Sequence, residues 1–187
     1  MPPKHSSSVV QSSVPPRHPA NWRPRNRLLA RLSAADFHRI RPHLTTIPLN
    51  GKQTLLKRGE VMRYVYFPNG GVCSVTAMLK NGTAVEVATV GDEGVIGATA
   101  FFGGKQMPGE CMVQVPDTNA ERMPVAAFQA EIQRRGALHD GVSRYLQATM
   151  VLMTQSIVCV AVHQVRELPL AAHDPRSREG RPIHAEP

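Results

Sequence analysis

The sequence predicts a mainly β domain, a double-stranded jelly roll or barrel, with short helices before it and one long helix after it. Three observations carry that prediction. Between Thr45 and Val90, short β segments alternate with turns rich in Gly and Asn, as antiparallel strands closing on one core would. From Ala84 to Val115 the chain reads as strand, glycine-punctuated turn, very short apolar helix, second glycine turn and strand again. From about Leu138 to Glu167 there is no proline and one early glycine, which makes a helix long for a domain of this size.

In chain order, residues 1–24 are rich in Ser, Pro and His and lack a continuous apolar run. They read as a disordered arm, in which neither a signal peptide nor a membrane span can be drawn. Asn26 to Leu32 forms a short helix that lays Leu28, Leu29 and Leu32 on the core. Ser33 then caps a second helix with Asp36 as its capping partner and Phe37, Ile40 and Leu44 at helical spacing; Pro42 ends or bends it. His38 and His43 have no third ligand nearby and read as exposed.

Strands follow at Thr45–Leu49, Gln53–Leu56, Tyr64–Phe67, Val72–Leu79 and Ala84–Val90. Asn81-Gly82 is the strongest hairpin signal. Alternation puts Val65 and Phe67 on one face and Tyr64 and Tyr66 on the other, and predicts a buried face of Val85, Val87 and Thr89 in the last strand. Gly91, Gly94 and Gly97 break that pattern, and Ala98 to Phe102 leaves room for little more than one helical turn before Gly103-Gly104. One turn does not stabilise itself. What it offers is backbone N–H groups near Gly97, a pocket for an anion or polar small molecule. Strands at Cys111–Val115 and about Ala120–Met123 complete the β region. Pro124 opens a helix with Val125, Phe128 and Ile132 on its apolar side, and Gly136 ends it.

In the long helix, Leu146, Met150, Met153, Ile157, Val160 and Gln164 fall at alternating spacings of four and three, a heptad seam. Val142, Leu152 and Val158 add apolar positions outside the seam. A helix apolar on two sides buries one against its own domain and the other against a second copy, which predicts a parallel homodimer through Leu146, Met150, Met153, Ile157 and Val160.

The chain has 187 residues and a formal net charge of +8, enough for one core of ordinary size. Between Asn26 and Arg166, fifteen basic and ten acidic residues are scattered without a dense run, the pattern of a solvated surface rather than of a polyanion track. Cys73, Cys111 and Cys159 lack metal-ligand spacing and sit among apolar neighbours. They read as buried, inert thiols of a reducing cytoplasm, with no metal site and no disulfide framework. No nucleophile, metal or paired-acid constellation supports an enzyme.

The glycine-punctuated segment resembles the phosphate-binding cassette of cyclic-nucleotide-binding domains, specifically the sensor domain of Crp/Fnr-type transcription regulators. The residues that carry the resemblance lie between Asn26 and Arg166: NRLLARLSAADFHRIRPHL, YVYFPNGGVCSVTAML, the turn Lys80-Asn81-Gly82-Thr83, VEVATVGDEGVIG and the long helix. The resemblance implies a cyclic-nucleotide-binding-like barrel at residues 25–136, a dimerisation helix at 137–167 and a ligand held near Glu93, Gly94, Gly97, Ala98 and Thr99. Members that bind cyclic AMP carry a Glu after the last cassette glycine and an Arg some ten residues on. Here Ala98 stands at the first position, and Met107-Pro108-Gly109-Glu110 spans the second without an Arg. This argues against cyclic AMP as effector, while another small molecule stays open; no cofactor is implied.

Relatives continue into a helix-turn-helix DNA-binding domain. Residues 168–187 contain no amphipathic helix pair and read as a disordered tail, so sequence-specific DNA binding is not expected of the chain alone. The expected function is effector sensing and dimerisation, as a homodimer or with a related regulator. The alternatives are a decoy partner of a full-length regulator and a non-specific basic DNA-binding protein.

Overall fold

A computed structural model describes residues 22–78, 82–116 and 119–162, with side chains as far as Ser156. Residues 1–21 of the expected arm at 1–24, residues 163–167 of the expected dimerisation helix, the tail at 168–187, the tip of the Asn81 hairpin and the side chains of Ile157, Cys159 and Val160 lie outside the described residues. The chain divides into a compact unit ending at Met153 and a second unit from Thr154, in which only helix is described.

Helix α1 (Arg27–Ala30) starts at Asn26, whose side chain accepts hydrogen bonds from the N–H groups of Leu28 and Leu29. Helix α2 (Ala34–Ile40) starts at Ser33, whose hydroxyl accepts from the Asp36 N–H at 3.1 Å and donates to the Asp36 carboxylate at 2.7 Å. Both caps satisfy N–H groups that a helix end leaves orphaned. Pro42 sits in a 3₁₀ turn, Arg41–His43, that terminates α2.

Seven strands follow: β1 (Thr45–Pro48), β2 (Thr54–Leu56), β3 (Tyr64–Pro68), β4 (Val72–Met78), β5 (Ala84–Val90), β6 (Glu110–Val115) and β7 (Asn119–Pro124). They form two antiparallel sheets, β1-β7-β3 and β2-β6-β4-β5. This is the mainly β, jelly-roll architecture that the strand spacing predicts. Val65, Phe67 and Met123 are fully buried on one face of the smaller sheet, with Phe67 6.2 Å from Phe128 of α3 (Val125–Gln133). Tyr66, on the other face, is buried with its hydroxyl donating to the Leu55 carbonyl. An ion pair ties α2 to α3: Arg39 makes a two-pronged contact with the buried Glu131 at 3.0 and 2.5 Å.

Two local expectations fail. Val85 and Val87 are 42% and 48% exposed and Thr89 is exposed too, so β5 has no buried Val85–Val87–Thr89 face. The cause is register. Above a bulge Cys73 faces Val90 and Val75 faces Ala88; below it Thr76 faces Glu86 and Ala77 faces Val85, so the strand changes sides at Val87. Being the edge strand, β5 is also paired on one side only, with β4. Second, Pro124 pairs with Tyr64 as the last residue of β7 and caps α3 rather than opening it. The left-handed residue after α3 is Arg135, at φ 54°, not Gly136. Helix α4 then runs Ala137–Val162.

Candidate functional site

The glycine segment between β5 and β6 is pinned at several points. The Gly94 N–H donates to the Gly91 carbonyl at 3.3 Å, and the Gly91 N–H donates to Glu93 Oε1 at 2.9 Å. Glu93 is exposed and spends that oxygen on its own turn. Ile96 exchanges both backbone hydrogen bonds with Tyr66, at 2.8 and 3.1 Å, which adds the segment to the edge of β3. Gly97 and Gly103 take left-handed conformations (φ 85° and 82°) at either end of a 3₁₀ helix, Ala98–Phe102. Only glycine adopts that region at no cost, so the two glycines fix the helix to little more than one turn.

Of the residues the sequence singles out, Gly94 and Gly97 are buried, Ala98 and Thr99 are half-buried, and all four lie along this one segment. A Cβ on Gly97 would meet Leu56 and Val65 at 3.4 Å and the Met62 sulfur at 3.6 Å, and the Thr99 hydroxyl lies 3.6 Å from the same sulfur. The surroundings are thus apolar carbon and a soft thioether. Leu56 and Met62 also line a cleft that carries Lys57 and Arg63, so cationic side chains stand near the same wall. Glu110 does not stand in the way of a ligand there. It accepts from Thr54 at 3.1 Å and alternates with the buried Cys111 and Val113, on the opposite face of β6.

Behind the segment sits a polar anchor. Asn26 is fully buried and donates through Nδ2 to the carbonyls of Pro68 (2.9 Å) and Gly94 (3.0 Å), while its own N–H donates to Asn69 Oδ1 at 2.9 Å. Asn69 in turn donates to Asn119 and to the fully buried Glu121. The Arg27 N–H donates to the Asp92 carbonyl at 2.8 Å. From α4, the Tyr145 phenol closes on Gly94 so tightly that a Cβ there would lie 2.6 Å from its oxygen. Burial pushes the Tyr145 phenol above its ordinary range, against a smaller opposing effect of its contact with Thr149. Sequence reasoning places Asn26 in the first helix but misses its role as cap and clamp; an Asn directly before Arg27-Leu28-Leu29 was the available signal.

Arg63, Tyr64 and Tyr66 share a cleft of about 430 Å³ with Lys57, Met62 and Leu56. Cys73 and Cys111 are both fully buried on the adjacent strands β4 and β6. The neighbouring Cys73 thiol and burial hold the Cys111 thiol well above its usual range, so it stays protonated. On α4, Leu146 packs partly against the core, whereas Met150 and Met153 are 64% and 39% exposed. Among the described residues no three His, Cys, Asp or Glu side chains are grouped to hold a metal ion, and no helix is long and apolar enough to cross a membrane.

Residues 47–135 match the family model described as the cyclic nucleotide-binding domain. Solved structures share the fold. The catabolite activator protein of Thermus thermophilus is 12% identical, with 72% of this chain and 62% of that one covered and a TM-score of 0.57. The c-di-GMP responsive global regulator CLP of Xanthomonas campestris is also 12% identical, with 69% and 65% covered and a TM-score of 0.60. The sensor domain of the transcriptional regulator DNR from Pseudomonas aeruginosa is 14% identical, with 65% and 85% covered and a TM-score of 0.52. The matched region therefore spans less than two thirds of either of the first two. No curated protein matches the chain in sequence. The chain carries a cyclic nucleotide-binding fold and is structurally similar to Crp-like regulators.

Proposed function

We propose that this chain is a cytoplasmic, non-enzymatic effector-sensing and dimerisation module of the Crp/Fnr type, whose effector is not cyclic AMP held in the usual way. The observation that carries the reading is the glycine-bounded 3₁₀ helix inside the matched region, with Ala98 after its first glycine and no arginine in Met107-Pro108-Gly109-Glu110. The effector contacts Gly94, Gly97, Ala98 and Thr99, with Glu93 at the turn. Its binding shifts the segment against Tyr145 and so against α4, which meets it alongside Asn26 at the start of α1 and Gln129 of α3. The dimer forms along Leu146, Met150, Met153, Ile157 and Val160, whose described members leave apolar surface on α4.

A thermal-shift titration tests the ligand part. Cyclic AMP at 1 mM, a concentration of order a thousand times a tight Kd, raises Tm by less than about 1 °C if the reading holds; a tight ligand would add roughly 4 kcal/mol and several degrees. A shift of that larger size overturns it. Sedimentation equilibrium tests the rest, since a monomer at 100 µM ends the dimer proposal.

A further inference from the structure

We propose a second ligand site, for a small polyanion of the phosphate type, in the cleft between α1 and the first half of α4. The cleft has a volume of about 530 Å³, within the size range of small-molecule pockets and too small for a duplex. Arg27 and Arg31, at the two ends of α1, and Arg144 from α4 line it together. Among the described residues, none of the three is joined to a carboxylate. Two acids also line the cleft and keep their charge: Glu93 accepts from the Gly91 N–H at 2.9 Å and Asp140 contacts His139 Nδ1 at 3.0 Å, so the three arginines leave the cleft a net positive charge of one.

Three guanidiniums brought to one cleft repel each other and keep their fork-shaped donor sets unspent. A doubly or triply charged phosphate ester satisfies both conditions by bidentate bonding. Leu28, Leu32 and Tyr145 line the same cleft and give an apolar or planar body something to lie on. The site shares Glu93 with the proposed effector segment but none of Gly94, Gly97, Ala98 and Thr99, and it does not depend on the effector reading. Tyr145 nevertheless touches both, since its phenol also closes on Gly94.

The test is calorimetric titration of the intact chain with pyrophosphate at low ionic strength. The expected result is one site with Kd of 1 mM or tighter, weakened at least tenfold by Arg144→Gln and by Arg31→Gln, only partly by the corresponding Lys variants, and steeply by added salt. Arg63→Gln, in the other cleft, and Thr99→Val, in the glycine segment, leave it unchanged. The three arginines are exposed, so their variants fold, and an unchanged melting curve verifies it. Absence of saturable heat, or equal weakening by Arg63→Gln, overturns the proposal; failure of the cyclic AMP test above leaves it standing.

Discussion

Residues 94–101 and residues 146–153 are both apolar stretches, yet they meet opposite fates. In the first, Val95 and Ile96 are 1% exposed and Ala100 is fully buried; in the second, Met150, Val151 and Leu152 are 64 to 68% exposed. The first stretch is short and glycine-rich, so it cannot stabilise itself and persists because neighbours grip it: Tyr66 through the backbone, Asn26 through its amide, Tyr145 through its phenol. The second belongs to a 26-residue helix that satisfies its own hydrogen bonds and can therefore hold apolar side chains away from its own core. Sequence hydrophobicity says that a surface will be buried against something. It does not say whether the partner is the same chain.

Four measurements sharpen or break this contrast. Asn26→Ala strips the cap from α1 and leaves the Pro68 and Gly94 carbonyls without their donor; it should cost about 3 to 4 kcal/mol in urea unfolding. Gly94→Ala drives a methyl into Tyr145 and Val90, which sit 2.6 to 2.8 Å from its Cβ position, for about 2 kcal/mol. If this variant is as stable as the parent, the phenol does not grip the segment.

The third measurement is pH dependence. The Tyr145 phenol titrates above its ordinary value because it is buried, so its contribution is fully present below the unfolded value near 10 and is lost as pH rises through the folded one. Urea midpoints should fall above about pH 10 and fall less in Tyr145→Phe; Tyr66, likewise pushed up by burial, supplies the remainder. The smallest effect on the fold belongs to the exposed stretch. Met150→Gln with Met153→Gln should change unfolding free energy by no more than about 0.5 kcal/mol, while raising the dimer dissociation constant at least tenfold. Loss of monomer stability would place these residues in the core of their own chain.

Much of the architecture was legible because it rests on local chemistry. Ser33 with Asp36 announced a helix start, Asn81-Gly82 a hairpin, and Gly97 and Gly103 the two ends of a one-turn helix; the structure has left-handed conformations at both glycines. The face of β5 was not legible, because a bulge opposite Thr76 reverses the parity on which alternation depends. Nor was the meeting of Cys73 with Cys111, which the pairing of β4 with β6 brings about across 37 intervening residues. Around the candidate site, the sequence supplied the segment and its missing cation but not its surroundings: the clamp at Asn26, the thioether of Met62 and the phenol of Tyr145 come from three distant elements.

By itself, then, the sequence determined which strands and helices form and in what order, since caps, turns and periodicity act between residues a few positions apart. It also determined that an arginine is missing from the turn before β6, a matter of composition. Only the tertiary structure decided which apolar faces are covered, which oxygen serves which donor, and that Arg27, Arg31 and Arg144 share one cleft. Those are contacts between groups far apart along the chain, and they depend on register and packing that no local pattern encodes.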